Sequence, residues 1–199
     1  MAIGDKAANF VVLDRESGQV VHRLALSSQA GLDTQPSREG AKACPNHGGG
    51  IEWNGGAYHP RTNSFLVPST EECAVWKITS DDPQYIPGQP YTGSPLPKRQ
   101  NGTGLLTSID VSTGHVRWRH ALPYPAEGGV LITATGVAFT SDVGGHIYAF
   151  DAATGQVARS SPSSARLAMA RICKASRRPR SPAPASVTRI SVHRNCALW

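Results

Sequence analysis

Apolar and polar residues alternate along this chain in short runs with a period of two. Such runs near 9–14, 19–24, 64–68, 73–78, 104–110, 115–119, 129–134, 137–141 and 145–151 predict half-buried β-strands. Between them, 27–50 is rich in Gly, Ser and Pro and reads as a long loop. A second long loop is expected over 79–103, which carries Pro83, Pro87, Pro90, Pro95 and Pro97. The pattern predicts an all-β chain of many short antiparallel strands.

One phrase recurs within it. Ser108-Ile109-Asp110-Val111-Ser112-Thr113-Gly114-His115-Val116-Arg117-Trp118 returns about forty residues later as Ala149-Phe150-Asp151-Ala152-Ala153-Thr154-Gly155-Gln156-Val157-Ala158-Arg159. A weaker copy spans Leu13-Asp14-Arg15-Glu16-Ser17-Gly18-Gln19-Val20, with His22 where the first copy has Trp118. The chemistry is that of a strand, a tight turn and a second strand. Asp caps the turn, Gly takes the positive-φ position, and apolar residues alternate on either side. Repetition at this spacing means stacked β-rich units.

Two further blocks accompany the repeat. One runs from Cys44-Pro45 through Gly50-Ile51-Glu52-Trp53-Asn54, Ala57-Tyr58, Pro60 and Thr62 to Val67-Pro68 and Cys73. The other is Gly128-Gly129-Val130-Leu131, then Thr133, Gly136-Val137-Ala138-Phe139-Thr140-Ser141-Asp142 and Gly145. Together with the repeat, these blocks resemble the pyrroloquinoline quinone (PQQ) dehydrogenases of the methanol/ethanol type. The resemblance covers roughly residues 5 to 157 in family order. It implies about three antiparallel blades of an eight-bladed β-propeller, and a C-terminal part of such an enzyme. It also implies an alcohol-to-aldehyde reaction with hydride passing to PQQ, in a periplasmic enzyme that hands electrons to an acceptor such as cytochrome c.

The resemblance assigns roles residue by residue. Asp110, Gly114 and Trp118, with Asp151 and Gly155, match the motif whose Trp packs between neighbouring blades. Lys6 matches the family's cation beside the quinone oxygens, where a fixed positive charge polarises a carbonyl. Glu52-Trp53 stands where the family has Asn-Trp, so Glu52 replaces an amide that donates to a quinone oxygen. An ionised carboxylate donates no hydrogen bond, and Glu52 is expected to weaken cofactor affinity unless it is protonated or turned away. Trp53 fits a cofactor contact or blade-core packing. Cys44 and Cys73 match two family cysteines that form a disulfide. A zinc reading of Cys44, His47, His59 and Cys73 is the alternative. Glu127 reads as a polar loop residue. The family's catalytic Asp and its calcium ligands lie before the Lys6 segment, so no catalytic residue and no metal ligand is assigned here, and the chain alone is expected to be inactive. A second hypothesis is a non-enzymatic propeller-repeat scaffold of the outer-membrane assembly type.

Charge divides the chain in two. The formal net charge is +6. Residues 159–199 hold nine Lys and Arg and no Asp, Glu or Gly, while residues 1–158 are mildly acidic. The tail, rich in Arg, Ser, Pro and Ala, is expected to be disordered, with short helix possible only by propensity around 165–175. A reading-frame shift near Ala158 is preferred over a basic binding arm, because the break falls inside the repeated motif. No aromatic residue is interleaved with the arginines, so no nucleic-acid partner is expected. No run of 18 apolar residues occurs, which excludes a helical membrane span. The first residues lack the apolar region of a signal peptide.

Overall fold

The computed structural model describes residues 1–80, 84–97 and 102–157. Among these residues every regular element is a β-strand. β1 (Ala2–Gly4), β2 (Asn9–Leu13) and β3 (Val20–Ala25) form one antiparallel sheet. β5 (Ala57–His59), β6 (Ser64–Glu71), β8 (Thr103–Asp110) and β9 (Val116–Leu122) form a second. β10 (Leu131–Ile132), β11 (Val137–Ser141) and β12 (Ile147–Asp151) form a third. A ribbon of β4 (Ala41–Ala43) and β7 (Ala74–Trp76) stands apart from these three.

Each large sheet is one blade, and the strand period decides how the blades stack. In β6, Leu66 and Val67 are consecutive and so point to opposite faces. Both are almost wholly buried, in two different cores. Val67 joins Ile109 and the first blade's Phe10, Val12 and Leu26. Leu66 joins Leu106, Leu122 and the third blade's Ala138 and Phe150. The middle sheet is therefore apolar on both sides, as a blade between two blades must be. The Phe10 and Phe65 rings meet across the first interface at 5.4 Å between centroids.

The repeated phrase produces the same turn three times. The residue before each Asp pairs with the sixth residue after it, as Leu13↔Val20, Ile109↔Val116 and Phe150↔Val157. The Asp carbonyl accepts the Gly amide at 3.0, 2.8 and 2.8 Å, and the glycines hold φ of +70°, +73° and +73°. The Asp carboxylate accepts two amides, from the second and third residues after it: Glu16 and Ser17 at Asp14, Ser112 and Thr113 at Asp110, Ala153 and Thr154 at Asp151. These bonds favour the ionised form and hold all three carboxyls below the ordinary aspartate value, with Ser17, Thr113 and Thr154 contributing most.

Two expectations need correction. The 27–50 segment is not wholly loop, because β4 lies inside it and Ala30 pairs with Cys44. Its strand partner β7 lies far along the chain, which local alternation does not register. The strand expected over 129–134 shortens to Leu131–Ile132. The tail lies outside the described residues.

Candidate functional site

The site is assembled where the β1–β2 turn meets the segment that follows Cys44. Cys44 and Cys73 are disulfide-bonded, with Cα atoms 4.3 Å apart. The bond and the β4–β7 ribbon together tie down both ends of the segment that crosses the site. The Cys44-Pro45 peptide is cis. Both sulfurs are consumed in the disulfide, which removes the two thiolates the zinc alternative required.

Glycines let this segment lie against the turn. Gly49 has φ of +86°, and a Cβ on it would fall 2.4 Å from the Lys6 Cδ. A Cβ on Gly50 would fall 2.3 Å from the Ala8 Cβ. Any larger residue would push the backbone away from Lys6. The Gly50 amide donates to the Lys6 carbonyl at 2.8 Å, and the Thr70 amide donates to the Gly50 carbonyl at 2.7 Å. Ile51 then packs into the first inter-blade core.

The Lys6 ammonium is held at the far side of this cradle. It donates to the Gly48 carbonyl at 2.7 Å and to both Glu52 carboxylate oxygens, at 2.8 and 3.0 Å. The Lys6 side chain is 63% exposed and that of Glu52 only 12%. Trp53, next in sequence, is 91% exposed. That exposure corrects the alternative of blade-core packing for Trp53. Asn54 is turned the other way, donating to the Glu127 carbonyl on the loop before the third blade. Four buried polar atoms flanking the crossing segment have no hydrogen-bond partner: Ser27 Oγ, Asn46 Nδ2, His47 Nδ1 and Thr70 Oγ1. His47 is packed edge-on to Trp76, with ring centroids 6.2 Å apart.

At the inter-blade joints, the ring that follows each turn covers the next blade's glycine. A Cβ on Gly155 would fall 2.5 Å from Trp118 Cδ2, and the Trp118 indole donates to the Ala152 carbonyl at 3.2 Å. His22 does the same one blade earlier. A Cβ on Gly114 would fall 2.9 Å from its Cγ, and its Nε2 lies 2.9 Å from the Ser112 carbonyl. Asp110 caps its own turn and also pairs with Arg117.

A family model described as outer membrane protein assembly factor BamB matches residues 74–184. A lanthanide-dependent methanol dehydrogenase of Methylorubrum extorquens is 29% identical over 157 residues, covering 75% of this chain and 25% of that protein. The chain belongs to the PQQ-repeat family, and the curated relatives it resembles are PQQ-dependent alcohol dehydrogenases. A lupanine 17-hydroxylase [cytochrome c] of a Pseudomonas species is 31% identical over 168 residues, covering 76% of this chain and 24% of the relative. The quinohemoprotein alcohol dehydrogenase of Comamonas testosteroni superposes with a TM-score of 0.64 at 21% identity, over 78% of this chain and 27% of that one. The fold is thus a partial β-propeller. The chain spans about a quarter of the length of the curated relatives it matches.

The sequence reading singled out Lys6 and Glu52 separately, and the fold brings them into contact. It missed Gly48, whose carbonyl accepts a hydrogen bond from Lys6, and the cradle of Gly49 and Gly50. The run of three glycines after Cys44-Pro45 carried that signal, since consecutive glycines mark close backbone approach.

Proposed function

We propose that residues 1–158 form the quinone-facing propeller-repeat section of a PQQ-dependent alcohol dehydrogenase, with 159–199 a separate basic tail. The supporting observation is the convergence of Lys6, the Gly48–Gly50 cradle and Glu52-Trp53 on one disulfide-bounded rim. In the whole enzyme Lys6 and Trp53 would help hold PQQ, which with its metal ion would supply the hydride-accepting chemistry for oxidising a small alcohol to its aldehyde. Electrons then leave to an acceptor such as cytochrome c. The disulfide suits an oxidising compartment such as the periplasm.

By resemblance Lys6, Glu52 and Trp53 would face PQQ, and Glu52 fits its charge poorly. Lys6 is neutralised by Glu52, and Glu52 offers the cofactor's own carboxylates only acceptor atoms. The chain alone is therefore expected to bind PQQ weakly and to turn over nothing. Given PQQ and Ca²⁺, the purified chain should produce no aldehyde from methanol or ethanol above a no-protein control. Equilibrium dialysis should show weak PQQ retention that Lys6→Met abolishes. Retention indifferent to Lys6 would sink the quinone-site reading. It would favour instead a non-enzymatic scaffold, the reading that the assembly-factor description of the matching family model supports.

A further inference from the structure

The geometry points to Glu52 as a charge latch on Lys6: by pairing with the ammonium it weakens the rim's hold on anionic quinones without abolishing it, and this residue sets the ligand specificity of the rim. The inference rests on the quinone-site reading above and adds a switchable residue to it.

The argument is one of charge pairing. A lysine ammonium has three N–H donors and no acceptor. Gly48 O accepts from it at 2.7 Å, and the two oxygens of the Glu52 carboxylate, at 2.8 and 3.0 Å, share a second donor. An N–H therefore remains for a quinone oxygen, but the ammonium's charge is already paired with a carboxylate, so an anionic ligand gains less from it. The pair is also held from behind. Gly49 lets the Lys6 stem lie on the segment, and Ile51, immediately before Glu52, is anchored in the core. Glu52 is thus a largely buried anion at the point where an anionic ligand would have to approach Lys6. A carboxylate-bearing quinone must sit beside that anion, and like charges at contact repel. A neutral quinone lacks the repulsion. An amide at position 52 would keep the side chain's size, release the ammonium and add an N–H donor.

Two measurements test this, one of them independent of any cofactor. In the absence of ligand, trinitrobenzenesulfonate labelling followed by peptide mass spectrometry should modify Lys6 several-fold faster in Glu52→Gln than in the wild type. Lys42 and Lys77 serve as internal controls. An unchanged Lys6 rate overturns the latch. In equilibrium dialysis, Glu52→Gln should bind PQQ about tenfold more tightly than wild type. The double variant Lys6→Met/Glu52→Gln should lose that gain. Glu52→Asn serves as a second amide variant, and unchanged circular dichroism shows that each variant is folded. If Lys6→Met weakens binding but neither amide variant strengthens it, the quinone site stands and the latch falls. If no variant retains PQQ, both fall. If the amide variants gain as much affinity for a carboxylate-free quinone as for PQQ, the charge argument falls.

Discussion

Asp142 is a carboxylate buried at the edge of the third blade, yet it stays readily ionised. Burial alone would push its carboxyl up. The Tyr148 hydroxyl donates to it at 2.6 Å, and the His146 amide and ring approach it at 3.1 Å. These donors outweigh burial and hold the carboxyl below the ordinary aspartate value. Tyr148 is driven the opposite way, its phenol held well above the ordinary tyrosine value by burial and by the neighbouring Asp142. A carboxyl depressed in the fold contributes stability above its unfolded value, lost as pH falls through the folded one. Asp14, Asp110 and Asp151 are depressed as well, so all four act in the same direction. Urea melts should therefore show stability constant near neutrality and falling below about pH 4. Tyr148→Phe should cost about 1–2 kcal/mol at neutral pH and shallow the acid loss. An acid profile identical to wild type would show that the Tyr148 bond does not hold Asp142.

At the level of elements, the inter-blade joints carry the sharpest contrast. Trp118 and His22 occupy the same place in successive repeats, and each covers the next blade's turn glycine. Trp118 also stacks near Phe150, at 6.2 Å between centroids, and joins the core of the second interface. His22 buries less apolar area for the same geometry. Trp118→Ala is expected to cost about 3 kcal/mol. His22→Trp should gain about 1 kcal/mol, since the Ser112 carbonyl is already aimed at a ring nitrogen. Chemical denaturation of both variants checks this, and a destabilised His22→Trp would refute the equivalence of the joints. The turns were legible because their chemistry is local: Asp, Gly and the alternating neighbours lie within one phrase. β1, β4 and β5 were not, because each has three residues and lacks the longer alternating run, 73–78, that marked the equally short β7. The Lys6–Glu52 pair was hidden for another reason. Its partners are 46 residues apart, and only the glycine cradle brings them together.

For the whole molecule, the joints are arranged in series. His22 of the first blade reaches the second blade's turn, and Trp118 of the second reaches the third's. Among these contacts each ring reaches only the next blade. Such an array behaves as a one-dimensional lattice, in which stability is a sum of intrinsic and nearest-neighbour couplings rather than one global term. Opening then propagates from the weakest coupling as a zipper does, and a perturbation fades within one lattice step. Amide hydrogen exchange should show β2 and β3 exchanging before β8 and β9, because the histidine coupling yields first. Introducing His22→Trp should slow exchange in the first blade and leave β11 and β12 at their original rates. Uniform slowing across all three blades would instead mark a single cooperative unit.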